Sequence, residues 1–99
     1  MKKLLQLLGL KRWKKRINDV AFMRPTGRDT FLYTEGQRSM PIYAEINFGD
    51  VDRVIDEHSI EKWAPPFENE SISDAKRQEI LRNICKFFEN NELRYAIKK

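Results

Sequence analysis

The sequence predicts an α+β domain in which an antiparallel sheet of about four to five strands is packed by one long helix in the C-terminal half, with a basic helix at the N-terminus. Three observations predict it. Between residues 20 and 56, β-branched and aromatic residues alternate with polar ones and are cut by turns containing glycine or proline. Ile80, Leu81, Ile84, Cys85, Phe87 and Phe88 then recur at helical spacing. Finally, 99 residues are enough to bury one core but not two, so 1–99 reads as a single domain, with 1–17 a basic helical leader and 18–99 the α+β body.

The elements follow in order. Leu4, Leu5, Leu7, Leu8 and Leu10 favour helix, and the cations of 11 to 16 follow them along the segment instead of lying opposite them. That arrangement fits a helix docked on the body better than one lying in a membrane interface. Val20 to Met23 is a short strand, closed by the turn residues Pro25 and Gly27. Thr30 to Thr34 is a second strand, and Glu35-Gly36-Gln37-Arg38 closes a hairpin. In the third, Met40, Ile42, Ala44 and Ile46 share one face, with Pro41 marking a strand start or an edge. The fourth spans Val51 to Asp56, with Val51 and Ile55 on one side and Asp52 and Asp56 on the other. Ile60 and Trp63, three residues apart, suit a helical turn, and Pro65-Pro66 stops regular structure. Ser71 or Ser73, with Asp74 behind it, caps the helix, and Asn90-Asn91 ends it. Leu93, Tyr95 and Ile97 alternate as a last strand.

The formal charge of +4 is unevenly spread. Residues 1–17 carry seven basic residues and no acid, which leaves 12 basic residues against 15 acids in the body. A cationic leader with Trp13 inside it is the pattern of a small nucleic-acid-binding module, and the segment Lys11 to Arg16 is the candidate contact. Anchoring of the leader by Trp13 is the structural alternative. No run approaches the ~20 apolar residues that span a bilayer, and the short Leu4–Leu10 run lacks a small-residue cleavage site, so a cytoplasmic protein is expected. The single Cys85 cannot form an internal disulfide and reads as a core residue.

No set of residues carries an obvious chemistry. One His and one Cys do not make a four-ligand zinc site, and the glycines form no phosphate loop, so no metal or cofactor is expected. His58 beside Glu57 has the form of a general base, but an exposed or structural histidine is the better explanation, and no catalytic residues are assigned. Binding remains. Asp50, Asp52, Asp56, Glu57 and Glu61 lie within twelve residues, and Glu68 follows. Composition does not separate a solvated loop from an acidic surface that meets a cationic partner, with Tyr43 or Phe67 as its aromatic anchor.

The run Tyr43-Ala44-Glu45, then His58-Ser59-Ile60, Trp63, Pro65-Pro66 and Glu68, then Ile72 ahead of Ile80-Leu81 and Ile84, resembles a family of small bacterial immunity proteins. These accompany polymorphic toxins and contact-dependent growth inhibition systems. The resemblance covers residues 28 to 97 and rests most on the Ser-Ile-x-x-Trp-x-Pro-Pro spacing. It implies a protein without catalysis whose partner is a cognate secreted toxin, often a nuclease, held by its active-site region. It also implies that Ile60, Trp63, Pro65 and Pro66 are framework, while acids such as Asp52 and Glu57 are free to bind.

Overall fold

Alternation along the central strands becomes a single buried face once the strands pair. In the computed structural model, which describes residues 12–99, one sheet holds β1 (Ala21–Pro25), β2 (Thr30–Glu35), β3 (Arg38–Ile46), β4 (Arg53–Asp56) and β5 (Tyr95–Lys98), in sequence order. The register sets Met23 beside Tyr33, Tyr33 beside Met40, Phe31 beside Ile42 and Ala44 beside Ile55, and all of these are buried. The β2–β3 hairpin closes through Gly36, whose φ of +62° is left-handed backbone that glycine adopts without a Cβ clash.

Two expectations need correction. The first four strands form the antiparallel meander, but β5 runs parallel to β4, so the sheet is mixed. Connectivity is the reason: a chain that leaves a strand, crosses over through a helix and returns can lie parallel to its starting strand, which a hairpin cannot do. The helical leader is the second. Residues 12–15 have no regular structure and Arg16 makes an isolated bridge to Phe22, so the described part of the leader is extended along β1. The leucine run Leu4–Leu10 and Lys11 lie outside the described residues.

The helix α1 (Asp74–Asn90) forms where its sequence supplies both ends and one apolar stripe. Ser73 Oγ accepts the Lys76 amide at 3.0 Å, and Asp74 sits at the positive end of the helix dipole. Ile80, Ile84, Phe87 and Phe88 are fully buried against the sheet, each contributing roughly 2 kcal/mol of apolar burial. Glu92, with φ of +61°, turns the chain out of the helix and toward β5.

An aromatic cluster seals the junction of helix, sheet and N-terminal segment. The Trp13 ring stacks on Phe87 at 5.4 Å and meets Phe31 edge-on at 5.4 Å, while Phe88 meets Phe31 from another side. Buried Arg53 lies against it, with its guanidinium 5.2 Å from the Phe31 ring and Nη1 donating to the carbonyls of Arg28 and Ala44. Burial holds this guanidinium below its ordinary value, and the carbonyls and ring faces replace the water it gives up. Asn91 fastens the same junction: Oδ1 accepts the Lys14 amide at 2.8 Å, and Nδ2 donates to the carbonyls of Lys14 and Phe87.

A polar chain runs beside the core. Lys76 donates to Glu35, which also accepts the Tyr33 hydroxyl, and that hydroxyl accepts Asn83 Nδ2 at 2.9 Å. Burial raises the Tyr33 phenol far above its usual value, so it stays a donor across the working pH range. Replacing Asn91 by alanine removes the two side-chain bonds that hold Lys14 to the end of α1, together with the bond to the Phe87 carbonyl. Asn91→Ala is expected to cost about 2 kcal/mol in urea denaturation, since a buried side chain with several bonds loses roughly that much.

Candidate protein-binding surface

The candidate acids lie on both sides of the corner where β4 ends, and hydrogen bonds hold that corner in place. Asp56 caps a short 3-10 helix, Glu57–Ser59, with its Oδ1 accepting the His58 amide at 2.9 Å. Ser59 Oγ donates to the Asp56 carbonyl at 2.6 Å and accepts the Tyr43 amide at 3.2 Å, which ties the corner to β3. The 3-10 turn falls at Glu57–Ser59, whereas Ile60 to Trp63, whose spacing suggested a helical turn, have no regular structure.

On the sheet face away from α1, Tyr43 and Glu45 project outward, Tyr43 half-exposed and Glu45 exposed. Partial burial first, then the negative charges of Glu45 and Asp29, raise the Tyr43 hydroxyl, with Asp56 adding a smaller share. The tyrosine is thus a protonated donor set among carboxylates. Asp29 reaches this place because its Oδ1 accepts the Ile46 amide at 3.0 Å. Beyond β3, the bend at 47–52 carries Phe48, 75% exposed, and exposed Asp50. On the other side of the corner, Glu57, His58, Ile60, Glu61, Asp74 and Arg77 line a groove of about 550 Å³. Arg77 is spent internally, donating to the Ile60 carbonyl at 3.0 Å and pairing with Asp74 at 3.4 Å. Glu57 and Glu61 make no ion pair with any described residue.

The other residues singled out in the sequence lie elsewhere. Asp52 is 8% exposed; its Oδ2 accepts the Arg94 amide at 2.8 Å, and its Oδ1 lies 3.6 Å from the Arg94 guanidinium. It turns inward because β4 begins at Arg53, which leaves Asp52 in the preceding bend, outside the alternation expected of a strand from Val51. Phe67 lies under the Arg38 guanidinium, 4.4 Å from the ring centre, and Arg38 is held by both oxygens of Glu70 at 2.7 and 2.8 Å. Glu68 is half-buried in the same loop. That loop meets the opposite end of β3, about 16 Å along the strand from Tyr43. Ile60 and Trp63 are buried, Trp63 stacking on Tyr33 at 6.5 Å, whereas Pro65 and Pro66 are exposed.

Phe48, Asp29 and Glu45 were not named as site residues from the sequence. Phe48 carries a local signal, a large apolar residue inside the Asn47-Phe48-Gly49-Asp50 turn and outside every alternating set. Glu45 shares a strand face with Tyr43 by alternation, whereas Asp29 carries no such signal, because only the pairing of β2 with β3 brings it there.

The cationic N-terminal segment is arranged as an anchor. The partly buried Trp13 ring packs into the aromatic cluster with one face stacked on Phe87, and Arg16 pairs with Asp19 at 3.0 Å. Half-buried Cys85 has its thiol pushed up by burial, which keeps it protonated and unreactive. Among the described residues there is no group of three His, Cys, Asp or Glu side chains that could hold a metal ion, and no helix long and apolar enough to cross a membrane.

A family model described as immunity protein 74 matches residues 26–98. No curated protein and no solved structure matches the chain.

The two neighbouring aspartates separate structure from surface. Asp52→Ala strands the Arg94 amide and is expected to cost about 2 kcal/mol in thermal or urea denaturation. Asp50→Ala and Phe48→Ser, both at exposed positions, are expected to stay within about 0.5 kcal/mol of the parent.

Proposed function

The chain belongs to the immunity protein 74 family, whose model spans residues 26–98, and on that premise we propose that it binds and neutralises a cognate toxin without chemistry of its own. The toxin is a secreted nuclease of a contact-dependent or other polymorphic toxin system, met in the cytoplasm of the cell that makes this protein. The surface that meets it is the acidic and aromatic corner of Tyr43, Glu45, Phe48, Asp50, Asp56, Glu57 and Glu61.

One observation carries the assignment of surface. The carboxylates of Glu45, Asp29 and Asp56 converge around a half-exposed tyrosine, and across the corner Glu57 and Glu61 make no ion pair with any described residue. A nuclease gathers cations where it holds the phosphate backbone. An inhibitor with convergent carboxylates is drawn to that region by complementary potential and competes with the nucleic acid for it. Tyr43 and Phe48 supply the apolar area that charge alone does not, and aromatic anchors of this kind dominate interface energies. The acids of the rim then tune the association rate, while the aromatics tune dissociation.

Co-expression with the toxin encoded beside its gene tests the function. Protection of the cells and co-purification of the two proteins are expected; absence of both overturns the immunity reading. Glu45→Lys and Glu61→Lys test the surface: each is expected to weaken binding about tenfold, or ~1.4 kcal/mol, with unchanged thermal stability. Binding that ignores both reversals places the toxin elsewhere on the molecule.

A further inference from the structure

The two edges of the sheet are treated differently. At the β1 edge, the Met23 amide donates to the Lys15 carbonyl at 2.9 Å, and Arg16 bridges Phe22, so the N-terminal segment covers the strand. At the other edge, β5 has β4 as its one sheet neighbour among the described residues. The Arg94 carbonyl accepts the Asp52 and Arg53 amides, so backbone groups at Arg94, Ala96 and Lys98 face β4. By alternation, the amides and carbonyls of Tyr95 and Ile97 face outward. A free row of this kind is a template for another strand.

The space beside that row is shaped for side chains. Between α1 and β5 runs a groove of about 570 Å³ with Leu81, Cys85, Tyr95 and Ile97 along its floor and Arg82 and Lys86 on its helical rim. Ile97 is 36% exposed there. Glu89 also lines the groove, but it accepts the Tyr95 hydroxyl. Arg82, Lys86 and Lys98 make no ion pair with any described residue.

We propose that the β5 edge and this groove form a second docking site, which takes an extended strand of another polypeptide whose apolar side chains alternate with acidic ones. Its backbone pairs with Tyr95 and Ile97, its apolar side chains enter the groove over Leu81 and Ile97, and its acids meet Arg82, Lys86 and Lys98. The same cations argue against a second copy of this chain. Antiparallel pairing of β5 with itself brings Arg94, Lys98 and Lys99 of the two copies together, and like charges directly opposed are destabilising. This site adjoins the acidic corner at Lys98, the register partner of Asp56, and does not depend on the identity of the toxin.

The test uses the ¹⁵N-labelled full chain and two synthetic heptapeptides, one alternating valine with glutamate and one alternating valine with lysine. The glutamate peptide is expected to shift and protect the Tyr95 and Ile97 amides and to bind at least tenfold more tightly than the lysine peptide. Ile97→Pro, which removes an outward amide, is expected to abolish that binding. Because proline can also disturb β5, the double variant Arg82→Glu, Lys86→Glu on the exposed face of α1 is measured beside it and is expected to reverse the peptide preference. Failure of both peptides to protect these amides, or equal binding of the two, overturns the proposal. Protection that rises with protein concentration alone assigns the edge to a second copy, and protection lost on removing residues 1–11 assigns it to the chain's own N-terminus; either result also overturns it.

Discussion

The constraint on which the rest depends is that α1, a single helix of 17 residues, has to cover a five-stranded sheet. Five strands are about 19 Å wide and a helix with its side chains about 10 Å across. One helix therefore buries one face of the sheet, and only part of that. The chain meets the shortfall by concentrating bulk where coverage is best, with Phe31, Phe87, Phe88 and Trp13 packed together at the junction of helix and sheet. Extended residues 12–16 then close the β1 side, and Asn91 pins them to the end of the helix.

What the helix does not cover becomes surface. The face of Tyr43 and Glu45 is open, the β4 corner projects its carboxylates beside it, and the β5 side retains a groove. In an immunity protein this economy has a use. A small rigid core holds the scaffold while the exposed positions carry the chemistry of recognition, so surface residues can change without repacking the interior. Buried Asp52 and exposed Asp50 show how close the two roles lie: two residues apart, one holds Arg94 and the other faces solvent.

The sequence was most legible where one local rule decided the outcome. The Met40–Ala44 alternation, the serine cap, which falls on Ser73 of the two serines expected, and the stripe from Ile80 to Phe88 each depend on neighbours a few residues away. Parallel β5 was not legible, because strand direction depends on how a long crossover returns. The extended course of residues 12–16 was hidden for a similar reason: the partners that hold Trp13 and Lys14 are Phe87 and Asn91, more than seventy residues away. In the candidate surface, the acids around the 3-10 helix were visible as a local cluster. Asp29 joins them only through strand pairing, and Asp52 leaves them because β4 starts at Arg53.

The central claim is that the acidic corner is the surface that meets the toxin. Hydrogen–deuterium exchange on the complex with the neighbouring toxin tests it most directly, read against the free protein at the same pH. Slowed exchange across Tyr43 to Asp50 and Asp56 to Glu61, with Arg82 and Lys86 on the outer face of α1 unchanged, is the predicted result. Slowed exchange on α1 with the corner unchanged would contradict it.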